Sequence, residues 1–260
     1  MPTTDAPSDR LARRIAALVI GAAIAGAALL AVAGPGYRFA GLPLMPALAG
    51  AALGNLLMAA AFVVGLVAFR MSIVHRTDDF PRLVVVLLAC GPLALNFGYW
   101  VLRGREAPPI HDISTDTADP PAFNAVLPLR EAAQAANPPQ YVARAQVGET
   151  SIDVPAAQQQ AYPDIKPLWL PIFPDEAYKR CERAVRIQGW KLVAATPETG
   201  VLEATDTSAY FGFTDDIVIR IRADGAGSRI DVRSKSRVGQ GDLGANARRV
   251  RAVLDWLAKG

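Results

Sequence analysis

Hydrophobic positions fall into two different patterns along this chain. Before residue 103 they form three long apolar runs, at residues 15–33, 47–69 and 83–102, and none of these runs contains a charged residue. Each run has the roughly 20 residues that an α-helix needs to cross a hydrocarbon layer about 30 Å thick. The pattern predicts a transmembrane region of three helices over residues 15–102, preceded by a cytoplasmic tail at residues 1–14.

The first run also has features of a signal peptide. Three arginines precede it, and the stretch Ala31-Val32-Ala33 resembles a signal-peptidase site. We favour an uncleaved anchor, because two more runs follow and the apolar stretch is longer than the core of a typical signal peptide. Cleavage of the first span stays open as the alternative.

Basic residues in the short loops predict the orientation of the spans. With the N-terminus in the cytoplasm, the first outer loop carries Arg38, and Arg103 and Arg105 follow the third span. The inner side then carries more arginines, as the positive-inside rule requires. Three spans place the C-terminal domain outside the cytoplasm, which is the periplasm if the protein lies in the inner (plasma) membrane of a Gram-negative bacterium. The inner arginines are Arg10, Arg13, Arg14, Arg70, Arg76 and Arg82.

Residues 168–260 show the shorter patterns of a soluble α+β domain. The order is a helix, four strands and a helix without repeated strand–helix alternation, which predicts an antiparallel sheet of about four strands with helices on one face. The first helix opens at Pro174 and ends at Gly189. The other elements are strands at 190–195, 200–204, 216–222 and 229–235, and a helix at 242–257 with Leu243, Ala247, Val250, Leu254 and Leu257 on its apolar side.

The clearest hairpin joins the last two strands through a Gly-rich turn at residues 223–228. Its apolar residues alternate on both strands. In the register that aligns them, Arg220 faces Asp231 and Asp216 faces Lys235, and opposite charges facing each other across a strand pair support that register.

Residues 103–167 are rich in proline and alanine and show little periodicity. We expect an extended arm that lies against the domain, because apolar residues recur in it. Its aspartates, Asp112, Asp116 and Asp119, are typical turn and cap residues. They lack the fixed alternation and the glycine of a calcium loop, so we expect no metal there.

Composition narrows the function further. The net charge is +3, which argues against a nucleic-acid-binding polycation. The two cysteines, Cys90 and Cys181, lie in a membrane span and in a soluble helix, so we expect no disulfide. The spacing of the histidines and cysteines is not that of a zinc site, and we expect no cofactor.

The most distinctive run is basic and rich in glycine. Between Arg233 and Arg251 the sequence has six basic residues and one acid, and glycine-rich backbone leads into a helix start. Such a run can cradle an anion. In the alternative interpretation, Asp215, Asp216, Arg220 and Asp231 take part in structural ion pairs inside the domain. The candidate ligand-binding residues are Arg233, Ser234, Ser236, Arg237, Asn246 and Arg249.

No recognisable catalytic motif stands out. Asp215 and Asp216 are adjacent on a strand, so their side chains point to opposite faces. Ser234 and Ser236 have His111 as the one histidine of the soluble part, far away in sequence, which disfavours a Ser–His triad. We therefore predict no catalytic residue, and whether the protein is an enzyme stays open.

Four short motifs then resemble one family. They are LEAT at 202–205, GF-x-DD-x-V-x-R at 212–220, DVRS-x-SR-x-G at 231–239 and DLG-x-N-x-x-R at 242–249. In this order they resemble the bacterial family called domain of unknown function 1499, over about residues 108–257. Other branches of that family carry an Asn-Cys-Val-Ser-Ser signature, where this chain has HDISTD at 111–116. The resemblance implies membership of the fold and supplies no activity.

The leading hypothesis is a membrane-anchored, non-enzymatic domain that binds an anionic small molecule or an envelope protein through the surface at residues 233–249. The first alternative is a hydrolase-like enzyme that acts on an anionic envelope substrate. The second is a structural or assembly subunit of a membrane complex. The expected partners are the lipid bilayer and one of these ligands, without nucleic acid.

Overall fold

The fold was taken from a computed structural model, which describes residues 7–259. The chain divides into two compact units. One unit contains the residues up to Leu102 together with Ala209–Gly212, and the other contains the rest of the chain from Arg103 onward. The first unit is helical and apolar, and the second is an α+β domain.

The first unit is built mainly from three long helices, of which the last runs on into the second unit: α1 (Pro7–Ala40), α2 (Leu44–Val74) and α3 (Phe80–Glu106). Each contains one of the predicted apolar runs and is long and apolar enough to cross a membrane. Residues 7–14, predicted as part of a tail, form the first turns of α1, since its arginines and leucine are good helix formers. Residues 1–6 of the predicted tail lie outside the described residues.

Glycines let α1 and α2 pack closely. A Cβ atom on Gly54 would lie 3.0 Å from the carbonyl oxygen of Gly26, and a Cβ atom on Gly26 would lie 2.9 Å from that of Gly54. Small residues allow this approach of two backbones in a membrane. Gly26 and Gly54 therefore serve packing between two spans of the same chain.

The second unit is built on a six-stranded antiparallel sheet with the order β1-β8-β7-β6-β5, in which β4 also pairs with β8. β2 and β3 form a separate hairpin. The four predicted strands correspond to β5 to β8, and two short strands add to the sheet. The bounds are β1 (Asp112–Ser114), β2 (Arg144–Val147), β3 (Thr150–Asp153), β4 (Leu168–Leu170), β5 (Lys191–Thr196), β6 (Val201–Thr207), β7 (Thr214–Asp224) and β8 (Gly227–Ser236).

The predicted register of the long hairpin is confirmed. Arg220 lies opposite Asp231, and Asp216 lies opposite Lys235. The isoleucines of β7 consequently share one face of the sheet with Ile230 and Val232 of β8, since successive side chains alternate between faces. This face contributes Ile217, Ile219, Ile221, Ile230 and Val232 to the core.

The remaining helices are α4 (Leu127–Ala132), α5 (Val154–Ala161), α6 (Pro174–Ile187) and α7 (Ala245–Lys259). The helices α6 and α7 pack their apolar sides on the apolar face of the sheet, as predicted. α6 begins at Pro174 and ends just before Gly189, as predicted, and Gly189 has a left-handed conformation. The buried residues of these two helices are Ala177, Tyr178, Cys181, Ala184, Val185, Asn246, Ala247, Val250, Val253 and Leu257.

The start of the last helix differs from the prediction. α7 begins at Ala245, three residues after Asp242, whose carboxylate accepts hydrogen bonds from the backbone N–H of Gly244 and Asn246 at 2.8 and 2.6 Å. Leu243 lies before the helix with a positive φ of 53° and is 50% exposed. Near the other end of the helix, Val253 is fully buried, whereas Leu254, which the sequence pattern placed on the buried side, is partly buried against the core.

The segment predicted as an extended arm contains regular structure. It forms β1, the short helices α4 and α5, and the hairpin of β2 and β3. The apolar residues that argued against a free linker explain this, because Ile110, Ile113 and Val126 are all buried. Ile113 enters the main core from β1, so the segment is an integral part of the domain.

Gly200 allows two strands to approach each other closely. Its φ is +66°, and a Cβ atom there would lie 2.3 Å from the carbonyl oxygen of Ile221. Gly225 has a similar φ of +58°, but an added Cβ would have no neighbour within 4 Å. We expect Gly225→Ala to cost about 1–2 kcal/mol from the left-handed conformation, and Gly200→Ala to cost at least about 1 kcal/mol more from the clash.

Thermal unfolding of the two alanine variants beside the wild-type protein would measure this difference. Equal melting temperatures for the two variants would contradict the close approach at Gly200.

Candidate functional site

The face of the sheet opposite α6 and α7 is charged. Asp231, Arg233 and Lys235 alternate along β8 with the apolar residues of the core face, so they all point to the other side. All three are buried, with 2% exposure or less. A buried charge needs a partner, and some of the partners come from the segment that covers this face.

This segment comprises residues 115–141, which we call the strap. Basic side chains of β8 donate hydrogen bonds to its backbone. Arg233 donates to the carbonyl oxygens of Pro121 and Pro139 at 3.0 and 2.9 Å, and Lys235 donates to that of Gln140 at 2.7 Å. Arg233 and Lys235, two residues of the basic run that suggested an anion cradle, therefore hold a part of the chain itself.

Asp112, just before the strap, neutralises two of these cations. Its carboxylate accepts two hydrogen bonds of 2.8 Å from the Arg233 guanidinium, and Lys235 Nζ lies 3.0 Å from it. Burial lowers the pKa of Lys235, and so do the nearby Arg233 and Arg130, although Asp112 opposes the change. The ammonium group of Lys235 thus depends on Asp112 and the Gln140 carbonyl oxygen for its stabilisation.

Asp216 forms the second buried centre of charge. It is fully buried and pairs with Arg237, at 2.7 Å, and with Arg130 of α4. Arg237 also donates to the carbonyl oxygen of Leu129 at 3.1 Å. One carboxylate on the sheet therefore fixes the helix of the strap through two arginines.

Asp231 forms the third centre. Its carboxylate pairs with Arg220, Arg222 and Arg229 at 2.8–3.1 Å. Two of these arginines, Arg220 and Arg222, also bind Asp119 of the strap, at 3.0 Å. The hydrogen bond from Arg220 lowers the pKa of Asp119.

Glu203 of β6 binds the strap in a different way. It is 2% exposed, and its two carboxylate oxygens accept hydrogen bonds from the backbone N–H of Asn124, Ala125 and Val126 at 2.9, 2.9 and 3.0 Å. Val126 caps α4 without a side-chain hydrogen bond of its own. Glu203 therefore supplies from the sheet the negative group that a helix start favours.

On the helix side of the sheet, a second polar network joins β8 to α7. Asn246 accepts a hydrogen bond from Ser234 at 2.6 Å and lies 2.9 Å from Ser236 Oγ. Arg249 donates to Asp206 and Asp215, each at 2.8 Å. These contacts satisfy the polar groups at the start of α7.

The six candidate ligand-binding residues thus lie on two sides of the sheet. Arg233 and Arg237 lie under the strap, whereas the other four, Ser234, Ser236, Asn246 and Arg249, lie on the helix side. They do not form one cradle, since neighbouring positions on a strand point to opposite faces. Each contacts other residues of the chain, and a ligand for them stays a prediction. The candidate ion-pair residues all have partners: Asp215 with Arg249, Asp216 with Arg237, and Arg220 with Asp231.

The comparison with known families agrees with the resemblance in the motifs. Residues 112–257, more than half of the chain, match the family described as "Protein of unknown function (DUF1499)". The chain belongs to the DUF1499 family. No curated protein and no solved structure matches it. The match starts at β1 and therefore includes the strap as well as the sheet and its helices.

Sequence reasoning missed several residues of the charged face of this DUF1499 domain. Arg130 and Glu203 were not singled out for it, and Asp112 was interpreted as a turn residue. The available signal was the alternation of charged residues along β8, a strand with neighbours on both sides. Charges at every second position of such a strand indicate a covered polar face when the strand is buried.

The arrangement offers little for nucleophilic or metal chemistry. Ser236 donates its backbone N–H to the His111 carbonyl oxygen, while Nδ1 of the His111 ring lies 3.3 Å from the Gln240 carbonyl oxygen. Burial raises the pKa of the Cys181 thiol to about 12, which keeps it unreactive. Within residues 7–259, no group of three or more His, Cys, Asp or Glu side chains is arranged to hold a metal ion.

Proposed function

We propose that this DUF1499 protein anchors a non-catalytic binding module in the bacterial inner membrane and holds it outside the cytoplasm. Its partner there is an envelope protein or an anionic small molecule. The three apolar helices support the anchoring. The excess of arginine in the segments predicted to be cytoplasmic supports the orientation.

The internal pairing of the basic run is the observation that carries the non-catalytic part of this proposal. Asp112 and Asp216 pair with Arg233 and Arg237 inside the domain. An enzyme that acts on an anionic substrate needs cations that face the place where negative charge develops. These arginines face the strap, and this arrangement favours a structural role for them over a hydrolase site.

The pKa shifts of the acidic residues also favour a structural role over a hydrolase site. Among the described residues, Asp242 is the carboxyl group whose pKa is raised, chiefly by burial. Its oxygens accept hydrogen bonds from the backbone of Gly244 and Asn246, so the group holds the turn before α7. A general acid would need the same group to face a substrate.

A structural or assembly subunit of a membrane complex is the second candidate. The extensive ion pairing under the strap favours it, because a rigid domain with internally paired charges suits a scaffold. Both candidates share the same anchoring and differ in whether the soluble domain binds a ligand. Native mass spectrometry of the full chain in detergent separates them. Retention of an anionic small molecule supports the ligand-binding module, and a stoichiometric complex with other membrane subunits supports the scaffold.

The placement is tested with reporters fused to the C-terminus of the full chain. We expect activity from an enzyme reporter that works only outside the cytoplasm, and silence from a fluorescent reporter that works only inside it. The same reporters fused after Arg76, between α2 and α3, are the matched control and should give the reverse result. An active inner reporter at the C-terminus would contradict the proposal.

A further inference from the structure

A groove lies between α6 and the turn that joins β5 to β6. Its volume is about 390 Å³, which falls within the roughly 300–1,000 Å³ of typical ligand pockets. All of its lining belongs to the soluble domain, away from the strap contacts described above. The lining residues are Pro174, Asp175, Tyr178, Lys179, Glu182, Pro197, Gly200 and Ile221.

The floor of the groove is apolar. Tyr178 and Ile221, which are 7% and 4% exposed, form it together with the rings of Pro174 and Pro197. Gly200 has no side chain to fill the end near Ile221. A floor of this kind accepts an apolar side chain, because burying it removes apolar surface from water.

The rim of the groove is acidic. Asp175 and Glu182 lie on one side of α6, with the single cation Lys179 between them, and Glu198 lies in the adjoining turn. Burial raises the pKa of Tyr178 to about 12, and the negative charges of Glu182 and Glu198 contribute to the same change. Three carboxylates, those of Asp175, Glu182 and Glu198, and the ammonium group of Lys179 thus border the groove.

Arg186 does not neutralise the carboxylates that border the groove. It pairs with Glu182 at 2.6 Å one helical turn away, but its own side chain is 69% exposed. Exposed pairs of this kind are weak, so a cation in the groove can compete for Glu182. The complementary ligand is thus cationic at its ends and apolar in its middle.

We propose that this groove binds a peptide segment of a partner protein in which an apolar or aromatic side chain lies between basic residues. The apolar side chain packs on Tyr178 and Pro197, and the basic side chains pair with Asp175 and Glu182. The inference rests on the proposed function as a binding module and names the chemistry of its partner. It assigns binding to a surface that the basic run does not include.

Fluorescence anisotropy with the full chain in detergent micelles tests the assignment. The probe is a fluorescein-labelled ten-residue Gly/Ser peptide with a central Lys-Phe-Lys. We expect saturable binding of this peptide, and affinities at least about tenfold weaker for peptides with a central Lys-Ala-Lys or Glu-Phe-Glu, because each lacks one half of the recognition.

Charge reversal in the groove gives the matched comparison. The double variant Asp175→Lys/Glu182→Lys should lower the affinity for the Lys-Phe-Lys peptide by at least about tenfold. The control Glu131→Lys/Glu149→Lys makes the same change in net charge at two exposed positions outside the groove and should leave the affinity within about twofold.

Absence of binding to the wild-type protein, or equal losses in the two double variants, would overturn the groove assignment. The reporter fusions measure placement in the membrane independently of peptide binding. A negative result for peptide binding in the groove can therefore be distinguished from a negative result for the proposed membrane placement.

Discussion

Asp216→Ala is expected to lower the free energy of unfolding of the α+β domain by about 3–5 kcal/mol. The carboxylate of Asp216 is fully buried and pairs with Arg130 and Arg237, which are 3% and 8% exposed. Its removal leaves two guanidinium groups buried without their carboxylate, and an uncompensated buried charge is costly. Thermal unfolding of the full chain in detergent micelles, followed by near-ultraviolet circular dichroism, should show a midpoint lower by roughly 10 °C.

A second aspartate of the charged face provides the control. Asp119 is 61% exposed and binds Arg220 and Arg222, which keep Asp231 as a partner when Asp119 is removed. Asp119→Ala should therefore change the midpoint much less. Equal midpoints for Asp216→Ala and Asp119→Ala would contradict the importance of the buried centre.

A double variant tests whether the loss comes from unpaired charge. Asp216→Ala/Arg237→Ala removes the carboxylate and one of its two arginines. We expect it to lose less stability than the sum of the two single variants, since residues in one ion-pair network are coupled. Additive losses would mean that the two residues act independently.

The strap explains why the candidate site was difficult to predict from the sequence. Arg130 pairs with Asp216, and Asp112 pairs with Arg233. The two members of each pair are far apart in the sequence. Alternation along β7 and β8 predicts which residues face each other on adjacent strands, because this pairing is local. It does not predict which distant segment covers the charged face, and the strap lacks the periodicity that would have indicated a role in the core.

The helices and strands were easier to predict from the sequence than the candidate site. The apolar runs predicted the three long helices, and the alternating isoleucines of the hairpin predicted its register. The start of α7 was wrong by three residues because a pattern of apolar spacing cannot distinguish Leu243 inside a helix from Leu243 in the turn before it. Asp242, where the helix was predicted to begin, instead holds the turn before α7 through its two backbone hydrogen bonds.

The family match includes the strap as well as the sheet. The match to DUF1499 starts at Asp112, the residue that pairs with Arg233 and Lys235. The family domain therefore contains both halves of the charged face, the sheet and its cover. Motifs such as DVRS-x-SR are accordingly explained by the pairing of β8 with the strap and with α7.

Glu203→Gln is expected to release the start of α4 from the sheet. The carboxylate accepts three backbone N–H groups, whereas a glutamine side chain offers one acceptor oxygen and an amide that donates. At least one backbone donor is left buried without an acceptor, and the charge-assisted bonds are lost, at a combined cost of about 2–4 kcal/mol. Glu198→Gln, on the exposed turn after β5, is the matched control and should have little effect.

Hydrogen exchange of the full chain in detergent locates this loss. In Glu203→Gln the amides of residues 124–132 should exchange faster, while those of β7 and β8 keep their wild-type rates, because the apolar core under the opposite face is unchanged. Faster exchange across the whole sheet would mean instead that Glu203 stabilises the domain as a unit. Unchanged exchange at residues 124–132 would contradict the attachment of the strap through Glu203, and with it the role of the charged face as the surface to which the strap is bound.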